Sequence, residues 1–542
     1  MPHEGHEAAR SIHLEGTGSW IFDSSEFQQW YQKEQALWIT GVRGSQAGAR
    51  KQPPSWEVLE DAIAYFSSGR RILLLIDALD ECSQKNDLAG FFSRLRETKV
   101  RVSVLITSRN EIDIEDALQS LPRLQLEARR AEVDSDIEKY IEQRIEAHDS
   151  MKFLAPPIKA EIQNSLHGFT DPIIGRIANE CRFRWAQCQL DVLSQLRTVR
   201  AIRKNLAELP KGLFQTYERM LMRDNVEDMM ILRKILLWVA FAPIPLKIEA
   251  LHEAIAIDAD MTRLEEVEES RLNNPKDIFS LGGSLLAVLE EGTVKLAHLS
   301  VRDYLLSKDI KNNPEISMFG MDLIGANEEL ARCYFAYLSL DSLSSGPCRA
   351  QEDWERRRAQ HPLLNHAAKG WTHHIRVAGI TSELHRVLTD FFKPGPRFMS
   401  WIQVLNTDWI FKWDEYPRHA TPLYYAASFG LKEIVEGLVQ RGAPSTRGQP
   451  IRWYRAARRH APRTPGADPS KADHNLLSPL QTAASAGNDE IVKLLLDYGA
   501  TAEAADNLGE TPCSRVEKAV QVVSRRLPAG EEWQQADAAS KL

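Results

Sequence analysis

The sequence lacks the features that mark secreted and membrane-spanning proteins. Its 542 residues contain only six cysteines, and no two of these form a CxxC pair. This argues against a disulfide framework or a zinc site and predicts a reducing compartment, the cytosol or the nucleus. The longest apolar runs, at 72–76 and 235–242, are far shorter than the roughly 18 to 20 residues of a spanning helix. We also expect no signal peptide at the N-terminus and no membrane partner.

An excess of charge of one sign is absent as well. Lys and Arg total 67 and Asp and Glu total 75, so the net charge is −8 and the whole chain has no polyanion-binding signature. Hydrophobic residues at 43% and charged residues at 26% are ordinary for globular proteins. At roughly 100 to 200 residues per domain, the length predicts three or four domains.

The first part of the chain alternates strand-like and helix-like segments. Short apolar segments at 36–40, 72–76 and 100–107 have strand length. The run at 72–76 is continuously apolar, which is typical of a strand buried on both faces, and 100–107 predicts a second strand of the buried type. A helix pattern that begins near Ser55 separates the first two runs. Such alternation predicts a parallel α/β sheet.

The second apolar run leads directly into an acidic turn, DALDE, at 77–81. A carboxylate at the carboxyl end of a strand can hold Mg²⁺ while a neighbouring acid orients the attacking water, as in the Walker B element of NTPases. The sequence TSR at 107–109 resembles the sensor strand of NACHT-type signalling NTPases. The candidate nucleotide-site residues are therefore Asp77, Asp80, Glu81 and Arg109. The alternative is a turn that is acidic only because it follows a buried strand.

The remainder of a phosphate site is missing. A GxxxxGK[ST] loop needs its second glycine, its lysine and its hydroxyl to contact the phosphates and Mg²⁺. In frame with the glycine that follows the first strand, those positions hold Gln46, Ala47 and Gly48. The next helix cannot contain the prolines at 53–54, and the chain before Asp77 has room for only one helix. The sequence predicts a vestigial site with no cofactor, no metal and no catalysis.

Motifs over roughly residues 14–310 resemble fungal NACHT-domain, ankyrin-repeat proteins of the NLR-like, STAND type. They are GSWIFD at 18–23, LPKGL at 209–213, YERM at 217–220, PLKIEALHEAIAI at 245–257 and LAHLSVRDYL at 296–305. The resemblance implies an N-terminal linker over 1–34, a truncated NACHT or P-loop-like remnant over 35–135, a helical region over 136–225 and a winged-helix-like region over 226–312. It also makes His298 a phosphate-sensing candidate, with a core or capping role as the preferred alternative.

The C-terminal part contains an internal repeat. TPLYYAASFG at 421–430 is echoed by SPLQTAASAG at 478–487, and EIVEGLVQRGA at 433–443 by EIVKLLLDYGA at 490–500. These segments resemble ankyrin repeats, whose period is about 33 residues. A further Thr-Pro ends at Pro512, one such period after Pro479. The pattern predicts a short ankyrin solenoid over 416–542, which follows a helical connector over 313–415.

The offset from Thr421 to Ser478 exceeds one ankyrin period by about 24 residues. We assign the extra residues to a basic insert over 444–471, where residues 441–471 contain eight Arg or Lys and one acid, Asp468. Variable positions between the repeated ones predict the partner-binding surface. These positions are Tyr424, Tyr425, Phe429, Gln481, Thr482 and Asn488. Packing of the same side chains against the connector or the insert is the alternative.

Together these features predict a multidomain protein, α/β plus all-α, that acts as a non-catalytic regulator or adaptor. It would bind a partner protein through its ankyrin repeats, and the resemblance implies transcription factors among such partners. One alternative is an ATP-dependent NLR-like switch, which needs Gly-Lys-Ser/Thr at 46–48. Another is a nucleic-acid-binding regulator, for which 247–257 offers one lysine against two glutamates.

Overall fold

The computed structural model describes 129–167, 178–210, 212–289, 292–407, 412–418, 421–440, 467–472 and 477–502, the strand segments 36–40, 72–76, 102–108 and 122–125, and isolated residues at 27, 114, 115, 118, 505, 506, 509, 511 and 512. Asp77, Asp80, Glu81 and Arg109 lie outside the described residues, as does most of the basic insert. The chain divides into two compact units, 1–240 with 276–321 and 241–275 with 322–542.

The strands of the described segments are β1 (Ala36–Thr40), β2 (Ile72–Ile76), β3 (Val102–Ser108), β4 (Arg123–Gln125), β5 (Leu246–Lys247), β6 (Leu286–Val288) and β7 (Thr293–Leu296). The helices of the first unit are α1 (Arg130–Ala147), α2 (Pro156–His167), α3 (Ala178–Gln195), α4 (Val199–Ala207), α5 (Leu213–Leu221) and α6 (Val226–Phe241). After α7 (Ile248–Ala254) and α8 (Leu264–Glu269) of the second unit, the first unit continues with α9 (Asp277–Gly282), α10 (Leu299–Leu306) and α11 (Lys308–Asn312).

The first unit contains the parallel sheet that the apolar runs predict. Its strand order is β2-β3-β1-β4, and each neighbouring pair is parallel. Ile106 of β3 is fully buried. Leu73 and Leu75, which lie on one face of β2, are 60% and 66% exposed, so the prediction that β2 is buried on both faces is wrong. Thr40 pairs with Ser108, so β1 and β3 end at the same edge. The strands that follow β1 and β3 lie on opposite sides of this pair, and such a switch point is where open α/β sheets bind ligands.

The helices that follow the sheet are held by polar contacts between buried side chains. Trp185 Nε1 of α3 donates to the carbonyl oxygen of Pro210 at 3.0 Å. Gln189 Nε2, one turn further along α3, donates to Thr216 Oγ1 of α5 at 3.0 Å. Each of these buried polar groups therefore has a partner, which avoids the cost of an unsatisfied donor. An antiparallel hairpin of β6 and β7 precedes α10 in the same unit.

The second unit contains α7 and α8, the connector helices and the repeat helices. The connector helices are α12 (Leu323–Leu338), α13 (Gln351–Gln360), α14 (Leu364–Ala378), α15 (Ser382–Phe391) and α16 (Pro396–Asn406). The repeat helices are α17 (Pro422–Ser428), α18 (Lys432–Gln440), α19 (Pro479–Ser485) and α20 (Asp489–Asp497). Tyr334, Phe335, Trp371 and Trp401 are buried between the connector helices, so the connector has a core of its own. Helices α12 to α16 lie in the range predicted for the helical connector.

Candidate functional site

The two repeats begin with the same cap. Thr421 accepts a hydrogen bond from the amide of Tyr424, and Ser478 accepts one from the amide of Gln481. In both helices a proline occupies the first position, where a backbone N–H would have no acceptor within the helix. The sequence pattern predicts these caps because Ser or Thr before Pro is a local signal.

The repeats also turn in the same way. Gly430 and Gly487 have φ angles of 75° and 69°, a conformation that glycine adopts without strain. Each links the first helix of its repeat to the second. The two glycines differ in their neighbours, since a Cβ at Gly430 would lie 3.3 Å from Nδ2 of Asn488 in the next repeat. The first repeat therefore approaches the second closely at this turn.

The two helix pairs stack on each other. Helix α17 packs against α19, and α18 packs against α20. Lys432 at the start of α18 forms an ion pair with Glu490 of α20 at 2.8 Å. Because both side chains are exposed, this pair adds little to stability. The stack of apolar helix faces carries most of the contact, with Leu423 and Leu480 fully buried.

Two of the predicted partner-binding residues pack against the connector instead. Tyr425 is only 7% exposed, its ring lies 5.5 Å from that of Trp401, and its hydroxyl accepts a hydrogen bond from Asn406 Nδ2 at 3.1 Å. The ring of Phe429 lies 5.2 Å from the ring of Trp371. For Tyr425 the structure therefore shows the packing alternative. Phe429 contacts the connector as well, but its side chain stays partly exposed.

Gln481 is also buried, for a different reason. Its Oε1 accepts a hydrogen bond from the amide of Ser478 at 2.7 Å, which completes a capping box. Gln481 stands at the position that Tyr424 occupies in the first repeat. The capping box explains this difference between the two repeats without partner binding. The predicted residues that remain partly exposed are Tyr424, Phe429, Thr482 and Asn488.

The connector contributes an aromatic cluster that the sequence pattern did not predict. We define the connector cluster as Phe335, Trp371, Phe391, Phe392, Phe398 and Trp401. Trp401 is near its centre, with ring centroids 5.4 Å from Phe391, 5.4 Å from Phe398 and 6.0 Å from Trp371. Its Nε1 donates to the carbonyl oxygen of Ala368 at 3.0 Å. The only sequence signal was the aromatic density of 391–401, which has no helical period.

A buried carboxylate was also missed. Glu253 of α7 is 1% exposed and accepts hydrogen bonds from Tyr337 Oη at 2.6 Å, from the Leu363 amide at 2.8 Å and from Arg271 Nη2 at 2.6 Å. Burial raises the pKa of Glu253 above its usual range, although all three donors oppose the shift. Glu253 therefore joins α7 to two segments of the connector through polar contacts.

His298 is the N-cap of α10. Its Nδ1 accepts a hydrogen bond from the amide of Ser300 at 3.2 Å and lies 2.6 Å from Ser300 Oγ. Ser300 Oγ is in turn 2.8 Å from Tyr217 Oη. These contacts confirm the capping role and account for the histidine between a strand and a helix without a nucleotide.

Within the described ranges, no group of three or more His, Cys, Asp or Glu side chains has the arrangement of a metal site.

Cys188 is fully buried, and burial raises the pKa of its thiol to about 11. Cys188 therefore packs in the interior of the first unit. None of the described helices combines the length and apolar character that crossing a membrane requires.

Three segments match known families. Residues 217–317 match the family described as GPI inositol-deacylase, winged helix domain. Residues 45–109, which include the four candidate nucleotide-site residues, match Nephrocystin 3, N-terminal. Residues 475–507 match the ankyrin repeat. The matches confirm a winged-helix segment and a short ankyrin repeat, and the ankyrin match supports binding to a protein partner.

A curated relative is the azaphilone pigments biosynthesis cluster protein L of Monascus ruber. The two chains are 26% identical over 310 residues, which cover 54% of this chain and 61% of the relative. This chain therefore aligns with about three fifths of the relative's length.

Proposed function

We propose that the protein is a non-catalytic adaptor or regulator of the NACHT-like signalling class, which acts in the cytosol or the nucleus. Its ankyrin repeats form the start of a solenoid and bind a partner protein. A transcription factor is the class of partner that the fungal resemblance suggests. The observation that carries the proposal is the stack of two ankyrin helix pairs, which packs on the helical connector.

The exposed part of the stack gives the proposal a specific surface. Tyr424 and Thr482 are partly exposed on the first helices of consecutive repeats, the helices that line the concave face of an ankyrin array. Thr482 Oγ1 donates to the carbonyl oxygen of Pro479 at 3.0 Å, so its hydroxyl already has a partner within its own helix. Aromatic side chains such as Tyr424 are frequent hot spots of protein interfaces.

We expect Tyr424→Ala to reduce partner capture by the full-length chain at least about tenfold, since a hot-spot truncation costs about 2 kcal/mol. The partner is first identified by crosslinking and mass spectrometry from native cells, and its purified form is then titrated against both proteins. Arg376→Ala, on an exposed part of α14, is the control. Equal affinity of the wild-type protein and of Tyr424→Ala, with both folded, would contradict this surface.

The absence of catalysis is a separate proposal. It rests on Gln46, Ala47 and Gly48, which replace the glycine, lysine and hydroxyl of a phosphate loop. We expect the purified protein to show no Mg-ATP hydrolysis that depends on Asp77. The measurement is steady-state phosphate release by the wild-type protein and by Asp77→Ala. Turnover that disappears in Asp77→Ala would favour the ATP-dependent switch instead.

A further inference from the structure

The second repeat shows how an uninterrupted ankyrin helix ends in this protein. Helix α20 is followed by Gly499, with a φ angle of 85°, and the amide of Ala500 donates to the carbonyl oxygen of Leu495 at 2.9 Å. This is the longer hydrogen bond of a Schellman cap, which satisfies a carbonyl in the last helical turn. The donor and the acceptor of this bond are close neighbours in the sequence.

The corresponding carbonyl of the first repeat has a partner from beyond the extra residues. Leu438 occupies the position of Leu495 when the two repeats are aligned. Its carbonyl oxygen accepts a hydrogen bond from the amide of Ala467 at 3.4 Å. Ala467 stands in the place of Ala500, so the chain returns to the cap position after about 24 additional residues, the excess over one ankyrin period.

A second contact shows the same register. Ser470 Oγ accepts a hydrogen bond from the amide of Thr501 at 3.0 Å and lies 3.1 Å from Thr501 Oγ1. With a period of about 33 residues, the position equivalent to Thr501 in the preceding repeat is Asp468. The turn at 468–471 therefore lies beside the turn that begins the next repeat, as in consecutive ankyrin repeats. Ser470 N also donates to Asp468 Oδ1 at 3.0 Å, which closes this turn.

We infer that 467–472 belong to the second repeat. When residues 443–466 are left out of the count, the two repeats follow each other with the ordinary ankyrin period. The extra residues are therefore an addition to a complete ankyrin stack, and the basic insert ends at Gly466 instead of Lys471. Two consequences follow for binding. The exposed Asp468 and Lys471 join the turn surface of the repeats. The segment 443–466 contains six arginines and no acid, so a deletion can remove this charge without removing Asp468 or Lys471.

Two deletions in the full-length chain test this inference. Removal of 443–466 restores the ankyrin period of about 33 residues between Thr421 and Ser478. Removal of 444–471 makes this spacing shorter than one period and takes away Ala467 and Ser470. Both deletions change the net charge by the same amount, because Asp468 and Lys471 cancel. Charge therefore cannot account for any difference between the two variants.

We expect the deletion of 443–466 to leave the thermal midpoint of the second unit, which contains the repeats, within about 2 °C of the wild type. The deletion of 444–471 should lower it by at least about 5 °C, since about 1 kcal/mol corresponds to roughly 2 to 4 °C for a unit of this size. Hydrogen exchange of peptides from 477–500 assigns the transition to the repeats. If the shorter deletion destabilises the repeats as much as the longer one, the inference is wrong. This result would not depend on whether the repeats bind a partner.

Discussion

Replacement of Glu253 by alanine is expected to lower the free energy of unfolding of the second unit by about 3 kcal/mol. The variant leaves Tyr337 Oη, the Leu363 amide and the Arg271 guanidinium without their shared acceptor. Removal of one partner of a buried ion pair typically costs about 3 to 5 kcal/mol. We take the lower value because the Arg271 side chain is 25% exposed and water can reach it.

Glu249→Ala is the matched control for this prediction. Glu249 lies one turn earlier on the same helix and is exposed. Its loss should change stability by no more than about 0.5 kcal/mol, as for most surface substitutions. The measurement is urea unfolding, with hydrogen exchange of peptides around 337 and 363 to locate the change. Equal stability of Glu253→Ala and Glu249→Ala would show that Glu253 does not hold α7 to the connector.

Glu253→Gln refines the same experiment. The amide keeps an acceptor for Tyr337 or Leu363, but it cannot pair ionically with Arg271. We expect a loss between those of the alanine variant and the control. A glutamine variant as unstable as the alanine variant would assign the whole effect to the ion pair.

The repeats could be predicted from the sequence because their signals are local. Thr421 and Ser478 each precede a proline, and Gly430 and Gly487 each follow paired alanines, so cap and turn recur at fixed offsets. Each feature determines the backbone of its own neighbours, which a single sequence displays directly. The parallel strands were predicted for the same reason, since short continuous apolar runs have few alternatives.

The connections between these elements could not be predicted in this way. Glu253 meets its partners at sequence separations of 84 and 110 residues, and no periodic pattern encodes such contacts. Gln481 shows a related limit, because a variable position in a repeat predicts recognition whereas this side chain completes a cap. A different residue at equivalent positions of two repeats indicates that the two side chains have different neighbours. Those neighbours can belong to the connector as well as to a partner protein.

Tyr425→Ala is expected to lower the free energy of unfolding of the second unit by about 3 kcal/mol. Truncation of a buried aromatic ring typically costs about 3 to 5 kcal/mol, because the cavity left behind collapses only in part. The Tyr425 ring lies 5.5 Å from the ring of Trp401 and 6.2 Å from that of Phe398, so the variant opens a gap between the first repeat and the connector cluster. Asn406 Nδ2 loses its contact with the hydroxyl as well.

Tyr424→Ala provides the comparison, since it removes the same side chain from the adjacent, partly exposed position. We expect it to cost about 1 kcal/mol or less in stability, because less apolar surface is lost from the interior. The order of the two variants should reverse in a binding measurement made well below both thermal midpoints. There Tyr424→Ala weakens partner binding, while Tyr425→Ala retains most of it because the ring faces the connector. If Tyr425→Ala leaves stability unchanged but abolishes binding, the ring contacts the partner and the connector does not cover it.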